Sequence, residues 1–446
     1  MRMRRTTLIF LTLLLAHPLG GLCAGIANQP AKKKPHAAKS ATPKTTVEKV
    51  AVETAKTITW PLRMLKLIAT DMGRAVILYL PAVDTDPNRG ITAGAMPIFL
   101  IKDPVTSGIQ QIHAPSLTYN HIFGVTPTWR YYYYPDAYSQ IFTRAAYSQF
   151  TNRDLTLEYK NSRFSQKHLS VDTRFQYFRE GSNRFFGLGP DSKEKDQTNY
   201  TLSTLRYRLT LGLPIQGPLR LDLTYRLNSD KIQDGPIKTL PDMENLFSPL
   251  TPSTRKVLMR YKMGLTYDSR DNPTAPQKGI LANVFAETSS QSLGSDANFQ
   301  DFGAEFRMLY PHPSKPGWTS VGRILLEQQE GKNIPFYAQP AIGGKETLRG
   351  YGDGRFMDKG RLVFGFEERI NVAQARIMDV LSQFELDPFF ELGTVFPSPN
   401  RMEAKHIRPV GGLAVRAVVR PQVVGSFDAG FGQEGPALFV DINYSF

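Results

Sequence analysis

From Ile91 to Phe446, apolar and polar residues alternate with a period of two. Leu219–Leu227 reads Leu, Arg, Leu, Asp, Leu, Thr, Tyr, Arg, Leu. Val257, Met259, Tyr261, Met263, Leu265 and Tyr267 form one side of another segment, with Arg260, Lys262, Thr266 and Asp268 on the other. Leu205–Leu211, Phe302–Tyr310, Leu362–Ile370 and Leu413–Val419 follow the same rule. Successive side chains of a strand point to opposite faces, so each segment carries one apolar and one polar face. A soluble sandwich also alternates. These segments are long, however, often about ten to thirteen residues. Their polar faces carry Arg206, Arg208, Arg226, Arg260, Arg307 and Arg416, and their apolar faces end in Tyr and Phe. The pattern therefore predicts an all-β chain, a transmembrane antiparallel β-barrel with apolar positions toward lipid and charges toward a wet lumen. Closure pairs every backbone group, which lipid cannot do.

About seventeen segments alternate, whereas a bacterial barrel normally has an even number. The excess falls between Gly108 and Arg163, where segments run together. Long connections follow the segments near 168–179, 218–229 and 318–330, and short turns such as Leu213–Pro218 and Pro311–Gly317 separate others. The long connections share one side, which puts both chain ends in the periplasm. The chain closes on ALFVDINYSF, with Leu438, Val440, Ile442, Tyr444 and Phe446 at alternate positions and Phe439, Asp441, Asn443 and Ser445 between them. This predicts a last barrel strand whose apolar set ends in a terminal aromatic.

The start reads differently. Arg2, Arg4 and Arg5, an apolar run Leu8–Ala16 and small residues through Ala24 predict a secretory signal peptide over 1–24. Cleavage after Ala24 removes the single cysteine, Cys23, and the bulky Leu22 before it argues against lipid attachment there. Residues 25–49 are rich in Ala, Lys, Pro and Thr, with Lys32, Lys33 and Lys34 in a row. Such a composition buries no core, so a flexible basic linker is expected, either a plain spacer or a contact for an anionic polymer or lipid surface. Residues 50–90 read as a periplasmic segment. In it Pro61 starts or breaks a helix, and Leu62, Leu65, Leu67, Ile68, Met72, Val76 and Ile77 make one face. Such an amphipathic helix lies at a membrane surface, under a barrel mouth or against protein. After the signal no apolar run is long enough to span a membrane as a helix.

Charge and composition narrow the function. The formal net charge is +14, but basic residues alternate with apolar ones instead of clustering, so a nucleic-acid partner is not expected. Attraction to an anionic membrane surface remains open. A mean hydropathy of −0.30 excludes a bundle of apolar helices. No catalytic constellation is present. Gly343–Thr347 (GGKET) resembles a phosphate loop, yet Glu346 follows the lysine where Ser or Thr is needed, and no helical pattern comes after it. The seven histidines lack metal-ligand spacing. Asp268, Asp271 and Asn272 suit a turn with capping side chains better than a calcium site. No enzyme activity, cofactor or metal is expected.

The longest glycine-rich connection carries GGKETLRGYGDGRF, Gly343 to Phe356. Backbone freedom with fixed charge suits a loop that folds onto a polar surface. Its Arg349, Gly350 and Tyr351, together with FFGLGP (Phe185–Pro190), YDSRDN (Tyr267–Asn272) and a strand piece around Phe389, Glu391 and Gly393, give the chain from about Ile91 to Phe446 a specific likeness in order and spacing. It resembles the Omp85 superfamily of outer-membrane barrels, also called bacterial surface antigens, whose members insert or translocate proteins.

The resemblance implies a barrel of about sixteen strands, and it implies that the Arg-Gly-Tyr loop enters the lumen with Arg349 docked on the wall. The alternation places Val363, Gly365, Glu367 and Arg369 inward on one strand and Phe389, Glu391, Gly393 and Val395 inward on the next. Arg349 is then expected to pair with Glu391, with Glu367 and Arg369 completing the network. An exposed pair in a wet lumen is worth about 1 kcal/mol, more if the loop excludes water. Two departures stand out. Glu391 takes the place of the family's usual Asp, and the segment before Ile91 fits no periplasmic domain, which predicts a barrel-only member without clear POTRA domains. The serine motif of patatin-like lipases, carried by some relatives, is absent.

The functional expectation is a bacterial outer-membrane barrel that assists protein insertion or translocation through a lumen-inserted loop and an openable seam. Gly90, Gly94 and Pro97, placed in the first strand, would weaken pairing at that seam. A passive pore or lipid-handling barrel and a structural surface antigen are the alternatives. The expected partners are outer-membrane lipids, the barrel assembly machinery for the chain's own insertion, and client outer-membrane or secreted proteins.

Overall fold

A computed structural model describes residues 69–446 except 105–108, 165–168, 252–253, 274, 378–379, 420–422, 442–443 and 445–446. The expected signal peptide, the linker, the helix positions Leu62, Leu65, Leu67 and Ile68, and the terminal Ile442 and Phe446 lie outside the described residues.

The alternating segments form one antiparallel sheet. It starts with a three-residue flap, β1 (Ala69–Asp71), and a hairpin of β2 (Ala75–Asp86) and β3 (Gly90–Lys102). β4 (Ile109–His113) and β5 (Ser116–Asn120) are halves of one strand, for both pair with β3 and with β6 (Gly124–Asp136). The break falls at Ala114 and Pro115, where proline has no amide to give the ladder. Next come β7 (Ser139–Tyr147), β8 (Arg153–Asn161), β9 (Ser170–Phe185), β10 (Thr198–Gln216) and β11 (Leu219–Asp234). They are followed by β12 (Lys256–Asp268), β13 (Gly279–Ser289), β14 (Phe299–Pro311) and β15 (Trp318–Gly331). A separate hairpin, β16 (Ala341–Ile342) with β17 (Phe356–Met357), sits within the connection to β18 (Gly360–Ile377). β19 (Val380–Phe396), β20 (Arg408–Val419), β21 (Val423–Gly432) and β22 (Gly435–Asp441) complete the order, each strand paired with the one before it.

The sheet has twenty strands. With β1 set aside and β4 and β5 counted together, the described residues make eighteen wall positions. The fold is the expected transmembrane β-barrel, with two positions more than sixteen. Two sequence expectations are corrected by this. Val76 and Ile77, read as one face of a helix, belong to β2, so the wall begins at Ala75 and not at Ile91. Gly90, Gly94 and Pro97 lie in the second wall strand, behind β2. The reason is local. The run Ala75–Leu80 is almost wholly apolar, and periodicity cannot separate a short buried strand from a helix there. Pairing with β3 decides it.

Alternation becomes inside and outside. On β12 Leu258 and Thr266 are buried within, while Tyr261, Met263, Leu265 and Tyr267 are exposed on the outer face. On β18 Val363, Glu367 and Arg369 are buried within, and Phe364 and Phe366 stand outside. The connections after β9, β11 and β15 leave from one end of the barrel, as the strand order requires.

The lumen has a packed interior. Leu348, Tyr351 and Phe356 of the connection after β15 pack on Val363, Phe389, Val395 and Val410 of the wall. Phe336, earlier in the same connection, packs on Phe185, Tyr200 and Ile232, with Met243 of the short helix Met243–Phe247 beside them. One connection thus packs against the lumen wall both at β9–β11 and at β18–β20.

Candidate functional site: a loop tied to the lumen wall

The tip of this connection is shaped by its own residues. Gly343 (φ +115°) and Gly344 (φ +80°) take backbone conformations that disfavour a side chain, and a Cβ on Gly343 would lie 2.2 Å from the Gly352 carbonyl. The Thr347 hydroxyl donates to the Gly343 carbonyl (2.7 Å) and accepts from the Gly343 amide (2.9 Å). GGKET is therefore a turn closed on itself. It presents Leu348 and Arg349 to the wall, both fully buried.

Arg349 meets two expected partners. Its backbone amide donates to Glu391 Oε2 (2.7 Å) and its Nε to Glu391 Oε1 (2.7 Å), so both carboxylate oxygens are used. Its Nη1 donates to Glu367 Oε2 (3.0 Å) and lies 3.7 Å from Asp428 Oδ2. The guanidinium also stacks on Phe389, 3.4 Å from the ring centre. Burial lowers the Arg349 pKa, but Glu391, Glu367 and Asp428 raise it by more, so the guanidinium stays charged. Gly393 lies beneath Leu348, where a Cβ would come within 2.9 Å of the leucine. Gly350 crosses β21 closely, with room for no Cβ before the Gly432 amide at 2.6 Å.

Arg369 stands one step from the loop. Its Nε donates to Glu367 Oε1 (3.0 Å) and its Nη1 to the Pro276 carbonyl (3.3 Å). Arg416 on β20, expected only as one of the lumen-facing charges, belongs to the same network. It is fully buried, grips both oxygens of Glu367 (2.7 and 2.9 Å), pairs with Asp387, and donates its Nε to Ser426 (3.1 Å). Arg416 was legible as an inward charge on an alternating strand. What the sequence did not give was that β18 to β21 stand side by side at one level and so bring Glu367, Asp387, Arg416 and Asp428 together.

Tyr351 and Arg355 make a second attachment. The Tyr351 hydroxyl accepts from the Gln433 amide (3.2 Å), and burial pushes its pKa up. Arg355 donates Nε to both oxygens of Glu434 (2.9 and 2.8 Å) and Nη2 to the Ser192 carbonyl (3.1 Å), with its guanidinium over Phe186 and Phe356. Between them the Asp353 carbonyl accepts from Asn88 Nδ2 (2.8 Å). Asn88 is in the β2–β3 turn and Gln433–Glu434 in the β21–β22 turn. The loop tip therefore touches the first and the last hairpin of the wall at once.

Of the terminal set, Leu438 is exposed on the outer face, Val440 half-buried, and Phe439 buried within. Tyr444 is corrected: it turns inward, where its hydroxyl donates to Glu385 Oε2 (2.7 Å) under the Arg369 guanidinium, 3.6 Å from the ring centre. Tyr444 lies outside β22 (Gly435–Asp441), where the alternation of a strand does not apply. In YDSRDN, Asp268 takes Arg270 in two hydrogen bonds of 2.9 Å, while Asp271 and Asn272 accept backbone amides of Gln277 and Ala275.

These features define a class: an outer-membrane β-barrel with a loop bound by buried ion pairs inside its lumen. A model of the Omp85 superfamily domain matches residues 139–416, more than half of the chain. The chain belongs to the Omp85 superfamily. Among solved structures it is similar to BamA from Haemophilus ducreyi lacking POTRA domains 1–3, at 15% identity and a TM-score of 0.50, covering 88% of this chain and 77% of that one. CdiB from Acinetobacter baumannii matches at 12% identity (TM-score 0.42; 84% and 61% covered), and CdiB from Escherichia coli at 11% (TM-score 0.45; 84% and 62% covered). The chain spans about three-fifths of those two CdiB chains.

Proposed function

We propose that this barrel assists the insertion or translocation of proteins at the outer membrane, opening between β2 and β22 when the loop tip lets go. The observation that carries this is the tip's simultaneous hold on both hairpins, Asn88 on one side and Gln433 and Glu434 on the other. The strands it would release are weakly joined. Among the described residues no ladder pairs β2 with β22, and the hydrogen bond between them is from the Thr85 hydroxyl to the Leu438 carbonyl (2.8 Å). An unpaired edge in lipid is costly, so an opened seam would capture an extended client strand without any nucleotide.

Arg349, with Glu391, Glu367 and Arg369, is the lock in this reading, and Gly350, Tyr351 and Gly393 let it seat. The pore alternative has less support, because the same connection crosses the lumen and packs on its wall at both β9–β11 and β18–β20. The test is insertion of an unfolded outer-membrane barrel into liposomes containing the purified protein. In a Cys23→Ser background, Thr85→Cys and Leu438→Cys are joined by a short bismaleimide. Faster insertion than protein-free liposomes, abolished by the cross-link, supports the reading. Equal insertion with the seam closed sinks the lateral opening, and no acceleration by any form sinks the insertase.

A further inference from the structure

On the other arc of the wall the registers bring arginines together. Arg174 on β9 stands opposite Arg208 on β10, Arg208 opposite Arg226 on β11, and Arg226 opposite Arg260 on β12. Four guanidinium groups thus form one rung across four adjacent strands, whose spacing is about 4.8 Å. Arg206, two residues from Arg208, adds a fifth beside Asn228 and Gln176. Like charges directly opposite one another destabilise a sheet. A rung of this kind works against the barrel that carries it.

The wall's carboxylates do not satisfy it. Glu158 takes Arg174 (2.9 Å) but also Lys160 (2.7 Å), and Asp172 takes Arg208 (2.9 Å). Arg226 and Arg260 share Glu287, each at 3.3 Å, and neither Glu287 oxygen has a hydrogen bond among the described residues. Arg206 has no ion pair or hydrogen bond there, and its guanidinium rests on Phe178 at 4.5 Å from the ring centre. The five arginines line a cavity of about 290 Å³ inside the lumen, together with Gln176, Asn228 and one carboxylate, Asp230, which accepts from the Thr204 hydroxyl. Tyr337, from the connection that crosses the lumen, closes one side, and its buried hydroxyl has no partner among the described residues.

We propose that this cavity is a binding site for a phosphate-type anion. Planar guanidinium forks match tetrahedral oxyanions in paired hydrogen bonds, and several forks at strand spacing suit a ligand with more than one phosphate oxygen face. Such a group arrives either free in solution or as the headgroup of an anionic lipid. The site lies apart from Arg349 and its carboxylates, so it stands independently of the seam.

The test uses the full chain in phosphatidylcholine nanodiscs, titrated calorimetrically with inorganic pyrophosphate at fixed ionic strength. Saturable uptake is expected, weakened about tenfold in Arg206→Gln and lost in Arg208→Gln/Arg226→Gln. The variants should melt no lower than the parent, because they relieve like-charge opposition. Repeating the titration in nanodiscs with phosphatidylglycerol identifies the source. Weakened pyrophosphate uptake there marks a lipid headgroup, and unchanged uptake marks a soluble anion. No saturable uptake by the parent overturns the site. So does unchanged uptake by the double variant, and a double variant that melts lower would make the rung a structural feature.

Discussion

Arg349 shows how burial changes the weight of a charge. In a wet lumen its pair with Glu391 would count for about 1 kcal/mol. With both side chains out of water, removal of one partner strands the others. Arg349→Ala is then expected to cost about 3–5 kcal/mol, read as a lower midpoint for the heat-induced shift on a gel. Glu391→Gln added to it should cost less than the two single changes summed, since the stranded charge is gone. Additive losses would mean that the pair is not coupled. Glu391, one methylene longer than the family's usual Asp, has the reach to accept from the amide and Nε of the same residue.

At the scale of elements, the seating of loop on strand depends on shape as much as on charge. A Cβ on Gly430 of β21 would lie 2.1 Å from the Arg349 carbonyl, a backbone atom that cannot swing aside. Gly430→Ala is expected to unseat the tip with every charge retained, and protease added from the loop end should then cut within 343–356. Protection equal to that of the parent would show that the tip is held elsewhere. The elements themselves were unequally legible. β11, β12 and β18 alternate cleanly and were readable residue by residue. β2 was not, because its first half is apolar on both faces and its partner lies in a later segment. The break between β4 and β5 was hidden as well, since one proline in a run of short segments looks like any turn.

For the whole molecule, the charges divide the lumen. One arc, on β18 to β21, carries the carboxylates that hold the loop, and the other, on β9 to β12, carries the arginine rung. The loop tip touches the first and last hairpins, and the proposed function makes its docking part of closing the barrel. Arg355→Ala removes the tie to Glu434 and Ser192 while leaving Arg349 in place. Amide exchange in β2 and β22 should then quicken about tenfold, with β11 and β12 unchanged. Uniform exchange across the barrel would separate the tip from the closure.

The sequence by itself determined the barrel, because lipid on one side and water on the other impose a period of two on every strand that faces both. It also determined which residues point inward, and so made Glu367 and Glu391 candidates for Arg349. Which inward residues meet was decided only by the tertiary structure. Register across neighbouring strands put Arg416, Asp387 and Asp428 into the loop's network and ranked four arginines on one rung. Tyr444, beyond β22, turns inward against the alternation. Contacts of this kind join residues far apart in the chain, and periodicity along one strand carries no information about the level at which it meets the next.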